Sequence, residues 1–497
     1  MNAQLRLPFG SSSTDPTEGW TTVRLSHGAP AFGVRRFFAA LAAACRKGRR
    51  SRTGLGIPLD SADQSAHSKR FATHSDFGRY GILLGLCAIC GSTLPAASPA
   101  NLPAKVFDED MSTYRRVDSA DMITQLQREI DHNGLALGFD PQFGFLPSLL
   151  EKLNISPASQ TLVCSKTSLQ QERISPRTPR AIFFSDSVYV TWIPGSPILE
   201  ISSVDPRIGA VFYTLEQKAL PRPRFVRNDD CLQCHTSGKT MGVPGYVIRS
   251  CVTDENGRVD PRQGAFQVTH RTPIAERWSG WYVTGRQPVP NHLGNLFGES
   301  DFERRRAEPG YRVDLADVTA FVNAARYPRS TSDFVALMIL DHQVHMQNLM
   351  TRLSFESAEA LEETGQVHRA KAAANAFLKY LLFVEEAKVP APVACSEEFA
   401  KWFQDQGPKD RQGRSLRQFD LQTRLFKYPC SYLIYSETFD QIPRDMKLYI
   451  YRRLWKILRG EDTTPEFQTL STETKRDILE ILKETKRGLP VYWTLSD

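Results

Sequence analysis

Past residue 100 the chain carries no net charge. Fifty Lys and Arg there balance fifty Asp and Glu, and the formal +7 of the 497 residues comes from the first hundred, which hold 12 basic against 5 acidic residues. The folded part therefore implies no basic recognition face, and no nucleic-acid partner is expected. No internal repeat is visible. After Cys231 and Cys234 no second CxxC follows, as a zinc site of the paired-cysteine type would want. Hydrophobic residues make up 41%, so the chain reads as globular, with room for two or three domains.

What the chain does contain is CLQCH, at Cys231-Leu232-Gln233-Cys234-His235. This is the spacing of a c-type haem attachment site. Two cysteines three apart each add across a haem vinyl group, and the following histidine gives its imidazole nitrogen to the iron. Cys231 and Cys234 are thus the expected covalent anchors and His235 the proximal iron ligand, with one haem c per chain. The haem would bring the redox chemistry, and the protein would set its potential through axial ligands, burial and hydrogen bonding. The competing readings are a zinc site or a thioredoxin-like CxxC. The latter belongs between a strand and a long helix, and Gly238, Gly242, Pro244 and Gly245 discourage a helix here.

Residues 80–100 (YGILLGLCAICGSTLPAASPA) follow Arg79 as an uncharged apolar run with small residues and proline after it. This is the layout of a secretory signal, and the run is short for a membrane span. Ser98 and Ala100 suit a cleavage site, which puts the mature start near Asn101. The alternative is an uncleaved leader that associates the protein with the membrane. Neither Cys87 nor Cys90 follows a lipobox. Residues 1–79 are basic and rich in Ser and Arg. Arg35-Arg36-Phe37-Phe38 weakly resembles a twin-arginine signal, which Arg46 and Lys47 end early. This stretch reads as a leader outside the fold. Export to the bacterial periplasm agrees with the haem motif, since c-type haem is attached on the outer side of the inner membrane.

The expected fold class is α+β: a mixed haem domain with an antiparallel sheet over 101–310, then a mainly α-helical C-terminal domain over 311–497. Periodicity predicts helices at 118–132 and near 149–153. β-Branched and aromatic runs predict strands at 160–165, 181–184, 188–193, 198–202, 210–215 and 246–253. Asn256-Gly257 marks a hairpin turn, and the aromatic stretch 276–285 suits either a cofactor wall or sheet core. Helices are predicted at 316–325, from Ser332 to about Ser354, and at 370–387, 444–458 and 472–486. Cys164, Cys251, Cys395 and Cys430 are left to pair as disulfides or to stay as buried thiols; sequence does not choose.

A sixth iron ligand must lie far enough along the chain to cross the ring. Met241, six residues past His235, barely reaches. The candidates are His270, His342, His292 and His345, with His270 and His342 ahead of the other two. His342 and His345 share the apolar seam of the helix from Ser332, where they also read as hydrogen-bonded core residues or half of a separate metal site.

At CLQCH the chain resembles c-type cytochromes. The strands, DDCLQCH and the following GYVIRS look loosely like PAS-like haem-bearing domains of bacterial exported proteins. From RNDDCLQCH through RWSGWYVTG it also resembles large, uncharacterised bacterial cytochrome c-domain proteins with a single haem motif, a family that brings no established activity. The expected role is electron transfer with a redox partner protein. The alternatives are a peroxidase-like haem enzyme, with an open distal site and an acid–base residue, or a haem-based sensor of a small gas.

Overall fold

The runs of β-branched and aromatic residues after position 160 do pair. In the computed structural model, which describes residues 112–285 and 290–494, they form one antiparallel sheet. Its strands are β1 (Thr161–Val163), β2 (Arg180–Phe184), β3 (Val188–Trp192), β4 (Ile198–Asp205), β5 (Gly209–Glu216) and β6 (Phe225–Arg227). β7 (Arg249–Cys251) and β8 (Ala265–Gln267) make a separate two-stranded ribbon, and β9 (Trp281–Tyr282) returns to the main sheet. The sheet order is β6-β5-β4-β3-β2-β1-β9. The strand expected at 246–253 shrinks to β7. The turn after it is closed by the Asp254 N–H donating to the Arg258 carbonyl at 2.9 Å, with Gly257 at φ +81°.

Opposed residues in a ladder share a face, so the register sorts the sheet. Leu162, Ala181, Phe183, Val190, Leu199, Ile201, Val211 and Tyr213 lie on one side. Trp281, Val163, Arg180, Ile182, Thr191, Tyr189, Glu200, Ser202, Phe212 and Thr214 lie on the other. The first helices are α1 (Ser112–Arg116), α2 (Met122–His132) and α3 (Leu146–Lys152). α2 covers the first side. Its N-cap Asp121 accepts from the Ile123 and Thr124 N–H groups, and the Tyr213 hydroxyl donates to the same carboxylate at 2.6 Å.

After the single turn α4 (Leu232–His235) and α5 (Gly298–Ala307) comes α6 (Phe334–Thr364), 31 residues and about 46 Å long. Asp333 caps its start and Gly365 ends it at φ +67°. It ends ten residues later than its periodicity predicts, and from Phe334 to Val344 every residue is buried. The seam read from sequence is thus one side of a core helix. Its other side carries the amides of Gln343 and Gln347, both bonded to the Tyr189 hydroxyl of β3.

The C-terminal part is helical: α7 (Lys371–Leu381), α8 (Glu397–Asp405), α9 (Glu437–Asp440), α10 (Arg444–Leu458) and α11 (Thr472–Thr485). The helix predicted at 316–325 does not form. The Asp317 carboxylate accepts from the Thr319 N–H at 2.8 Å, and the Val318 N–H donates to the Ser330 carbonyl at 2.9 Å. This local side-chain bond competes with a helical turn. The fold is α+β, with the strands before residue 283 and mainly helices after it. The described residues belong to one compact unit. The leader, the apolar run and its cleavage site lie outside the described residues. No helix among the described residues is long and apolar enough to cross a membrane.

Candidate functional site

The motif sits where β6 leaves the sheet. Arg227 ties the strand end down: its guanidinium donates to the Asp229 carboxylate at 2.8 Å and to the Val117 and Tyr114 carbonyls at 3.0 and 3.1 Å. The Asn228 side chain accepts from the Asp230 N–H at 3.1 Å and starts the turn Asp229–Cys231. α4 follows directly. Residues three apart on such a turn fall on one side, so Cys231 and Cys234 are neighbours and His235 lies next to them. Leu232 is buried and anchors the turn, Cys231 is half-buried and Cys234 is exposed. Both cysteines are free, as are Cys164, Cys251 and Cys430, which stay as buried thiols rather than pairing with one another.

His235 is oriented by backbone. Its Nδ1 is 2.8 Å from the Gly245 carbonyl oxygen. A carbonyl only accepts, so Nδ1 carries the proton and Nε2 keeps its lone pair. The Gly245 N–H returns a bond to the His235 carbonyl at 2.9 Å. Thr240 Oγ1 donates to that carbonyl at 3.3 Å. The imidazole packs on Phe212 of β5 with ring centroids 4.7 Å apart. Burial lowers its basicity. The Gly245 bond opposes that effect, and the nearby Arg180 and Arg249 guanidinium groups add to it. The ring is therefore neutral at pH 7, the form that binds a metal ion.

Cations gather around this ring. Arg180 pairs with Glu200 at 3.5 Å, and its Nε has no partner. Arg249 is half-buried and has no acidic partner among the described residues. Burial, then Glu200 and Asp230, push the Cys231 thiol up to about 11. The guanidinium groups of Arg180 and Arg249 beside His235 suit an anionic group such as the propionates of a haem, while Glu200 and Asp230 act on the Cys231 side. Two free thiols on one turn, an imidazole with its Nε2 free, and this charge together fit haem c. Among the described residues no three His, Cys, Asp or Glu side chains converge as a metal cage, so Cys231, Cys234 and His235 do not form a zinc-type centre by themselves.

The four distal candidates fall in three places. His270 and His342 meet each other: their Nδ1 atoms are 2.8 Å apart, and both rings stack with Tyr380 and Phe383. His342 Nε2 is 2.8 Å from Ser431 Oγ, so both its nitrogens are engaged, while His270 Nε2 has no partner. Burial holds His342 down at about 3 and His270 well below the usual histidine range. His292 is fully buried between Trp278 and Phe334; its nitrogens make no well-formed hydrogen bond, and burial lowers it to about 4. His345 is half-buried, with Nδ1 3.1 Å from the Gln267 amide. Gln267 lies opposite Arg249 in the β7–β8 ribbon, which ties His345 to the surroundings of His235. No hydrogen bond or ring contact joins His235 to any of the four among the described residues.

Sequence reasoning missed Gly245, Phe212 and Asn348. Asn348, buried on α6, accepts from the Tyr246 N–H at 2.8 Å and donates to the Tyr246 carbonyl at 2.6 Å. The signal available was a set of amides, Gln343, Gln347 and Asn348, inside an otherwise apolar helix. Compared with protein-family models, curated proteins and solved structures, the chain matches none.

Proposed function

We propose that this chain is an exported protein with one covalent haem c, held by Cys231, Cys234 and His235, and that it transfers electrons to or from a partner protein. The observation that carries the reading is the 2.8 Å bond from His235 Nδ1 to the Gly245 carbonyl. A metal-ligating histidine needs its second nitrogen held in this way, because that bond fixes the tautomer and the ring plane. The spacing of the motif alone does not require it.

Bound haem supplies a one-electron couple at its iron. The chain's own residues do the rest. Cys231 and Cys234 fix the group in place, and Cys234, being exposed, leaves one edge of the site near solvent, where a partner approaches. His235 presents a neutral imidazole. Arg180 and Arg249 add positive charge beside it, which favours the reduced state and receives carboxylates.

For the sixth position the geometry favours His345. His342 is bound at both nitrogens, His270 is bonded to His342 inside an aromatic stack, and His292 lies under Trp278 and Phe334. His345 alone is half-buried and tied to the ribbon beside His235. A visible spectrum of the purified wild type and His345→Ala, oxidised and reduced, tests both points. Electron transfer through a closed iron predicts a low-spin wild type that ignores CO and peroxide, and a variant that turns high-spin. A wild type already high-spin, reacting with peroxide or binding CO, contradicts electron transfer and supports the enzyme or the sensor.

A further inference from the structure

We infer that Asn348 is a positioning residue for the proximal iron ligand, an inference that rests on the haem reading above. The carbonyl that holds His235 belongs to Gly245, in the irregular stretch between the 3-10 turn Gly238–Thr240 and β7. A loop by itself holds such an acceptor loosely. Here the next residue, Tyr246, is clamped at both backbone groups by one side chain: Asn348 Oδ1 accepts its N–H at 2.8 Å and Asn348 Nδ2 donates to its carbonyl at 2.6 Å. The amide thereby imitates a neighbouring β-strand. It sits on the longest helix of the fold, more than a hundred residues away in sequence, with no exposed surface.

The fit is close on the loop side as well. A Cβ added at Gly245 would collide with the Asn348 amide, so glycine is what lets the loop lie against α6. Pro244 is fixed in turn, since its carbonyl accepts the Ala210 N–H of β5 at 3.0 Å. Helix and sheet thus grip the loop on both sides of Gly245, and the His235 ring follows that carbonyl. The same bond gives the imidazole more electron density, which stabilises oxidised iron. Loosening the clamp therefore weakens the bond and raises the reduction potential.

The test uses the full-length holoprotein with its haem attached. Asn348→Ala is compared with Gln347→Ala, a neighbour on α6 that bonds Tyr189 and the Asp186 carbonyl but not the loop. Both variants lose stability. Only Asn348→Ala should move the potential, and upward; Gly245→Ala, which displaces the same carbonyl, should move it in the same direction. If Asn348→Ala carries covalent haem at the wild-type potential, or if Gln347→Ala shifts it equally, Asn348 is merely structural and the inference is overturned. If the wild type carries no covalent haem, the haem reading itself falls and takes the inference with it.

Discussion

His292 is a base that the fold keeps from being one. An unfolded histidine takes up its proton near pH 6.5, whereas this one, buried among aromatic rings, does so only at about 4. Between those values the unfolded chain binds the proton and the folded chain does not. The stability linked to His292 is therefore whole above pH 6.5, falls as pH drops toward 4, and amounts to about 2 kcal/mol lost at pH 5. His292→Phe removes the titration, so urea unfolding of the variant should lose about 2 kcal/mol less between pH 7 and pH 5 than that of the wild type. Equal losses would show that His292 is not the neutral core residue described. At this scale the sequence is legible only where chemistry demands a fixed spacing. Cys231, Cys234 and His235 announce themselves, but Gly245 acts through a carbonyl that every residue has. Nor does spacing distinguish His342, locked to His270 and Ser431, from His345 one turn on, because their partners come from distant strands and loops.

Elements were easier to read than their partners. The β-branched and aromatic runs of β2 to β5 and the turns between them mark the sheet, although burial on both faces leaves these strands without a period of two. α10 follows its periodicity, but α6 outruns its own. It is buried all round over Phe334–Val344 and largely polar after Ser354, where the apolar seam no longer marks it, and its end is set by Gly365. Its start is set by Asp333, whose carboxylate accepts the Val335 and Ala336 N–H groups at 2.9 and 3.0 Å and the Ser396 N–H at 2.9 Å. Asp333→Ala leaves two buried donors and the half-buried Ser396 N–H unmet. A lost cap costs about 1–2 kcal/mol, and the bond toward α8 adds to that. Thermal unfolding should show a lower midpoint for Asp333→Ala. An unchanged midpoint would mean that packing alone holds the start of α6.

Across the whole molecule, one helix joins what the sequence separates. The last strand ends at Tyr282 and helices follow, yet α6 reaches back from the helical part to clamp the loop behind His235 and to bond β3 through Gln343 and Gln347. Long-range contacts of this kind leave no trace in periodicity. They explain how a five-residue motif, with only Leu232 buried in its turn, gains a rigid support behind His235. The proposed function depends on the haem being covalent. The decisive measurement is the mass of the intact protein, denatured and acid-extracted after expression with a haem c maturation system, for the wild type and for Cys231→Ala and Cys234→Ala. The prediction is a wild-type polypeptide carrying the mass of one haem, on the peptide that contains CLQCH, with most of that haem lost in each variant. A wild type at its bare polypeptide mass, with free thiols at Cys231 and Cys234, would contradict it.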